Sequence, residues 1–308
     1  MPHRRVPSVL PTPGAARSRR QYHPAVFTWA SLCAERPAVM GIVNVTPDSF
    51  SDGGQYLDED AAVAHGHALV AAGANLLDVG GESTRPGADP VDVAEERRRV
   101  VPVVERLAAE TAVPVSIDTT KPTVAAAALD AGAIVVNDVS AGRLHPALLE
   151  VVADRGAGYI AMHMLGEPRT MQHDPRYADV VTAVGDFLVD RLDAARAVGV
   201  ADVALAADPG IGFGKTLTHN LALLARLREL CDRVEVPVLV GTSRKRFLGE
   251  VLNAAGTDDP GDLDARDDAT LATVVWAVDH GARIVRVHAA RPAVRAVAFL
   301  AAMDEAAA

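Results

Sequence analysis

Eight short apolar runs recur along the chain, each followed by a polar loop and a segment of helical character. No other feature restricts the fold so tightly. The runs lie at 39–45, 76–80, 115–118, 134–138, 159–164, 203–208, 238–242 and 284–288. Apolar runs this short, bounded by turn residues, predict buried strands. Helical segments follow at 59–72, 92–110, 121–131, 145–155, 178–198, 218–231, 264–280 and 291–303. Glycine often closes a helix just before the next strand, as at Gly73, Gly132, Gly199 and Gly281. That is where a helix end favours left-handed backbone. Eight successive β/α units predict an α/β chain folded as a (β/α)8 TIM barrel. A doubly wound sheet is the alternative, but it rarely contains eight such regular units. No Pro/Gly/Ser linker divides 38–305, so one barrel domain is expected there.

Composition narrows the class further. The 308 residues are 49% hydrophobic but only 4% aromatic, which suits Ala-rich helices packed on Val/Ile strands and a large core. A net charge of −10 with no basic aromatic stripe argues against nucleic acid. It does not forbid an anionic substrate, because the local field in a cleft decides that. Cys33 and Cys231 lie far apart and suggest a reducing, cytoplasmic compartment. No apolar run approaches ~20 residues, so no membrane span is expected. Residues 1–37 differ: five arginines and several prolines precede the first acid, Glu35. They predict a disordered basic extension.

In a (β/α)8 barrel the active site lies at the C-terminal ends of the strands. The run at 39–45 carries Asn44 and passes into a loop crowded with Thr46, Asp48, Ser49, Ser51 and Asp52. The second run enters Gly80-Gly81-Glu82-Ser83-Thr84-Arg85. Later ends deliver Asp118, then Asn137 with Asp138, then His163, then Asp208 before Pro209-Gly210-Ile211-Gly212-Phe213-Gly214-Lys215. The seventh ends at Thr242-Ser243-Arg244-Lys245-Arg246, and the eighth carries Arg286 and His288. Only three lysines occur, Lys121, Lys215 and Lys245, and each falls just after a predicted strand.

These residue types suggest a chemistry. Asp118, Asn137 and Asp208 suit a ring with several N–H donors, because a carboxylate accepts parallel N–H bonds. Arg286, His288 and Arg85 suit phosphate or pyrophosphate. Asn44 can offer an amide oxygen to Mg²⁺, which takes few protein ligands. Structural readings compete. Asp118 could cap the helix near Lys121, Asn137 and Asp138 could turn the chain, and Asp208 could form the Pro-Gly turn. His163 between two methionines reads as structural, and Glu82 serves equally well as an organiser of the second loop. The glycines at 210–214 fit neither a dinucleotide fingerprint nor a P-loop, each by one residue. No zinc-spaced Cys/His cluster or G-x-S-x-G elbow occurs.

Taken in order, GIVNVTPDSFSDGG from Gly41, GGESTRPGA from Gly80, SIDTTKP from Ser116, VNDVSAG from Val136, AMHMLGEPRTMQ from Ala161, DPGIGFGKT from Asp208, GTSRKRFLG from Gly241 and RVH from Arg286 resemble dihydropteroate synthase, the pterin-binding family of folate biosynthesis. The resemblance covers roughly 38–300. It implies a (β/α)8 barrel, usually a homodimer, that joins (7,8-dihydropterin-6-yl)methyl diphosphate to 4-aminobenzoate. It implies Mg²⁺ at Asn44, pterin at Asp118, Asn137, Asp208 and Lys245, and the diphosphate near Thr84, Arg286 and His288. Loops 46–54 and 82–90 would close over 4-aminobenzoate, with Phe213 and Arg246 nearby. Asp118, Asp208, Lys245, Arg286 and His288 are the expected catalytic set. Two departures stand out: Ala289-Ala290 where members often have Asp-Val, and Arg246 where many have Ser. A methyltetrahydrofolate–corrinoid methyltransferase-type domain and a non-catalytic pterin binder are the competing readings.

Overall fold

The computed structural model describes residues 26–45, 55–84, 87–256 and 262–307, the side chains of 55–58 excepted. The eight strands are β1 (Ala38–Asn44), β2 (Leu76–Gly80), β3 (Val115–Asp118), β4 (Val135–Asp138), β5 (Gly158–Met162), β6 (Leu205–Asp208), β7 (Leu239–Val240) and β8 (Ile284–Val287). They pair in parallel in the order β6-β5-β4-β3-β2-β1-β8-β7. The ring closes between β6 and the lead-in to β7, where Ala207 bridges Val238 and its amide donates to Pro237 O at 3.0 Å. This is the (β/α)8 barrel that the spacing predicts.

The helices are α1 (Trp29–Leu32), α2 (Gln55–Ala71), α3 (Val93–Glu110), α4 (Pro122–Asp130), α5 (Ala147–Arg155), α6 (Val180–Ala197), α7 (Leu217–Ala225), α8 (Leu227–Val234), α9 (Arg246–Ala254), α10 (Leu263–Asp279) and α11 (Ala290–Ala307). Gly73, Gly132, Gly199 and Gly281 all have positive φ, as expected just past a helix end. Two differences from the sequence reading have local causes. The segment 218–231 is two helices, because Arg226 leaves helical geometry at φ −109° and ties its guanidinium to Glu229 and Asp179. The polar stretch after β7 runs on into α9, held to the barrel by buried Phe247 and Leu248.

Two apolar layers hold the fold. One lies between the strands and the helices and includes Val39, Val43, Val79, Leu107 and Leu188. The other lies inside the barrel, where Met40, Leu76, Val135, Ile160, Ala206, Leu239 and Ile284 meet. These inner residues sit toward the N-terminal ends of their strands. By the period of two, the same inner face passes through Asn44, Asp78, Ser116, Asp118, Asn137, Asp208 and Arg286 toward the C-terminal ends. The barrel interior is therefore apolar at one end and charged at the other.

Residues 26–37, placed by the sequence reading in the extension, close the apolar end. Trp29 is buried among Met40, Leu76 and Ile160, and its Nε1 donates to Ala204 O at 2.8 Å. Phe27 meets its ring edge-on at 4.9 Å. An indole with its N–H satisfied gains from complete burial, so the ordered barrel begins well before residue 38. Residues 1–25 lie outside the described residues.

Candidate active site

Arg286 organises the charged end. From β8 its Nε donates to Asp78 Oδ2 of β2 at 2.6 Å, and its Nη2 donates to Asp118 Oδ2 of β3 at 2.9 Å. Asn137 Nδ2 donates to the same Asp78 oxygen at 3.0 Å. Four strands thus contribute to one hydrogen-bonded cluster. Three buried atoms at this level, Asp78 Oδ1, Ser116 Oγ and Asn137 Oδ1, lack a partner among the described residues. Buried polar atoms are almost always paired, so this cluster is shaped for a polar ligand.

The electrostatics follow from one guanidinium serving two carboxylates. Burial pushes the Asp118 carboxyl up to about 7, against the pull of Arg286 and with the push of Asp78, Glu96 and Asp138. Asp208 is also raised by burial, with Lys245 and the Gly210 N–H opposing. Burial lowers the Lys245 ammonium to about 8 against the attraction of Asp208. Asp118, Asp208, Lys245 and Arg286 therefore feel one another's charge in one site.

The loop after β6 is built to a tight tolerance. Asp208 Oδ1 accepts from the Gly210 amide at 2.7 Å. Gly210 has φ +64°, and a Cβ there would fall 1.9 Å from His163 O, so only glycine fits. Lys215 is buried and donates to His163 Nδ1 at 2.8 Å and to the carbonyls of Gly210 and Phe213 at 3.0 Å each. Three acceptors surround this amine, and burial pushes its pKa well below the ordinary lysine value against the pull of Asp208. Burial and Lys215 together depress His163 to about 2, so it is a neutral acceptor, as the structural reading expected. Lys245 reaches across to Ile211 O and sits 4.8 Å from the centre of the Phe213 ring. Phe213 packs on Val139, Met162, Met164 and Met171, an apolar wall beside the charged cluster.

The remaining expected residues lie farther out. His288 is tied to Ser243, whose Oγ lies 3.1 Å from its amide and 3.0 Å from its Nδ1. Arg246 begins α9 and is largely exposed, paired with Glu250 at 3.0 Å rather than turned into the cluster. Thr84 is half-buried just beyond β2, and Asn44 ends β1 opposite Gly80. Arg85 and loop 46–54 lie outside the described residues. Asp138 is satisfied within the fold, by Ser140, the Gly142 amide and the Tyr159 hydroxyl.

A model of the pterin binding enzyme family matches residues 40–288. The dihydropteroate synthase of Mycobacterium leprae is 50% identical over 266 residues, covering 86% of this chain and 92% of that protein. The chain belongs to the dihydropteroate synthase family. A second member, from Escherichia coli K12, is 44% identical over 267 residues, covering 87% of this chain and 92% of its own. The Xanthomonas albilineans dihydropteroate synthase, solved with 4-aminobenzoic acid, superposes with a TM-score of 0.80 at 49% identity, covering 87% of this chain and 93% of that one.

Placed within this family, the chain carries two structural features at the site that the sequence left without a role. Asp78 is the centre of the cluster, and its signal was available: a lone carboxylate inside the apolar strand LLDVG. The second is Arg244, with φ +59° and both its Nε and Nη2 on Asp267 at 2.9 and 2.7 Å. That pair fixes the turn carrying Ser243 and Lys245. Its partner lies 23 residues away, so no local pattern could reveal it.

Proposed function

We propose that this chain condenses (7,8-dihydropterin-6-yl)methyl diphosphate with 4-aminobenzoate, giving 7,8-dihydropteroate and diphosphate in folate biosynthesis. The observation that carries this reading is the Asp78–Asp118–Asn137–Arg286 cluster with its three unpartnered polar atoms. Its acceptors match a heterocycle rich in N–H groups. Asp118, Asn137 and Asp208 take the pterin edge, and Lys245 and Phe213 flank it. Two guanidinium donors of Arg286 are committed to carboxylates. A guanidinium has five donors, so the others remain for diphosphate oxygens, together with His288, Thr84 and Arg85.

In the reaction the bond from the pterin methylene to oxygen breaks, and the diphosphate keeps the electron pair. Positive charge develops on the methylene and spreads into the ring. Carboxylates at Asp118 and Asp208 stabilise that charge from fixed positions. The arylamine nitrogen forms the new bond to the methylene and then loses its proton. It needs positioning more than activation, because it is neutral at the working pH. Loops 46–54 and 82–90 exclude competing water, and Arg246 serves the second substrate.

Mg²⁺ is proposed at Asn44. By the strand period, Asn44 shares the inner face of β1 with Met40. Among the described residues no group of three His, Cys, Asp or Glu could hold a metal. Mg²⁺ bound mainly by substrate phosphates and water needs no such group. The ion would supply charge neutralisation at the leaving diphosphate. Diphosphate binding by calorimetry should weaken with chelator and in Asn44→Ala; equal affinities would remove the ion from this position.

A homodimer is proposed through α10 and α11, where Trp276, Phe299 and Met303 are exposed. Light scattering at micromolar concentration tests it. A cytoplasmic location is proposed from the two free cysteines, Cys33 and Cys231. No helix among the described residues is long and apolar enough to cross a membrane. The activity itself is tested by supplying both substrates and measuring dihydropteroate and pyrophosphate in equal amounts. Pterin binding without either product would leave only a pterin-binding protein.

A further inference from the structure

Lys121 stands outside the polar cluster, yet three segments of the rim meet at its ammonium. Its Nζ donates to Glu82, two residues beyond β2, and to Glu96, in the first turn of α3. Glu96 is buried, and its Oε1 accepts from Thr119 Oγ1 at 2.7 Å. The Thr119 hydroxyl in turn accepts from the Lys121 amide at 3.2 Å. Burial disfavours a charged lysine here, but the hydrogen bonds to Glu82 and Glu96 outweigh it and raise its pKa. The group is an ammonium at neutral pH.

The neighbouring backbone is seated as firmly. A Cβ on Gly81 would lie 2.6 Å from Val100 Cγ1 and 3.4 Å from Glu96 O, so this glycine lies flat against α3. Arg99 donates to Gly81 O at 2.9 Å and to Glu95 at 2.7 Å. The start of the second loop is therefore held by α3 at residue 81 and by Lys121 at residue 82. Ser83 and Thr84 follow immediately.

The two carboxylates on Lys121 differ in kind. The side chain of Glu96 is 1% exposed and that of Glu82 is 26% exposed. If Glu82 departs, Lys121 and Glu96 remain as a neutral, hydrogen-bonded pair. If Lys121 is lost, Glu96 is left as an uncompensated buried charge, which is strongly unfavourable. Glu82 is therefore the releasable member, and a partly exposed ion pair costs little to open.

We propose that Lys121 and Glu82 form a clasp that places Ser83 and Thr84 and so sets the affinity for 4-aminobenzoate. Both are positioning residues, acting through the loop rather than on the substrate. The proposal rests on the reading of 82–90 as a loop that closes over the second substrate.

Glu82→Ala tests it, because this change leaves the Lys121–Glu96 pair in place. The KM for 4-aminobenzoate should rise roughly two- to fivefold. The KM for the pterin diphosphate and the thermal midpoint should stay near wild type. Amide hydrogen exchange across 82–90 should accelerate, and Glu82→Asp should recover part of both effects. The double variant Lys121→Met/Glu96→Gln opens the same clasp without stranding a buried carboxylate, and should give the same KM shift. Wild-type KM and wild-type exchange in Glu82→Ala overturn the clasp. Thr84→Ala separates the underlying reading. If it leaves the 4-aminobenzoate KM unchanged while Glu82→Ala accelerates exchange, the hold on the loop stands and its link to the second substrate is overturned.

Discussion

Arg286 Nε lies 2.6 Å from Asp78 Oδ2, although β1 separates their strands in the sheet. The contact crosses the barrel interior. Asp78 is wholly buried, and Arg286 is the cation it pairs with. The guanidinium also holds Asp118, so the two carboxylates compete for one partner. Their mutual repulsion is one reason the Asp118 carboxyl is pushed up.

Asp78→Asn should therefore move the titration of Asp118 toward the ordinary carboxylate range. The neutral amide removes the repulsion and leaves Arg286 to Asp118 alone. The acid limb of kcat/KM should shift to lower pH, even though peak activity falls. Stability should drop by about 1–3 kcal/mol, the scale for a buried hydrogen-bonding group left mismatched. A pH–rate profile with an unmoved acid limb would separate Asp78 from Asp118.

In the unsubstituted protein, activity should rise through about pH 7 as Asp118 ionises and fall through about pH 8 as Lys245 loses its proton. Lys245→Arg should abolish the basic limb, because a guanidinium stays charged. The stability contribution of Asp118 has the opposite dependence. Its folded pKa is raised, so its contribution is fully present below the ordinary value of 3.8 and is lost as pH rises through about 7. Steady-state rates taken to roughly 1.5 units beyond each limb check the activity, and denaturation midpoints measured from the acid range up through neutrality check the stability.

Much of this was legible from sequence because strand ends announce themselves. Asp118, Asn137, Asp208 and Arg286 each close or interrupt an apolar run, and the barrel rule puts those ends on one rim. What stayed hidden depends on contacts between distant segments. Asp78 sits mid-strand, where its meaning depends on Arg286, 208 residues away. The family resemblance puts Arg246 near the site, yet on α9 it meets its own i+4 neighbour, Glu250. Residues 26–37 join the basic extension in the sequence because the first acid is Glu35, although the five arginines all lie at 4–20, and only the barrel interior gives Trp29 a place to go.

Trp29→Ala should destabilise the protein by about 3–5 kcal/mol, the usual cost of emptying a large aromatic site. The Ala204 carbonyl loses its donor as well. Turnover at 25 °C should change little in the folded fraction, because this end of the barrel is opposite the charged rim. Deleting residues 1–30 removes both Phe27 and Trp29 and should lower the thermal midpoint at least as much. An unchanged midpoint in either variant would show that the plug contributes nothing.

Gly210 allows the sharpest comparison between strain and collision. It and Gly256 have nearly the same left-handed φ, +64° and +70°. A Cβ at 256 meets nothing within 4 Å, whereas one at 210 falls 1.9 Å from His163 O. Gly256→Ala should therefore cost only the left-handed strain, about 1–2 kcal/mol. Gly210→Ala must in addition displace the loop or β5. The Gly210 amide holds Asp208, and its carbonyl holds Lys215, so either movement disturbs the carboxylate beneath the proposed pterin site. Destabilisation above about 4 kcal/mol is expected, with pterin affinity reduced more than roughly tenfold in whatever remains folded. Equal denaturation midpoints for the two variants would mean that the loop yields without cost and that its fit against His163 does not position Asp208.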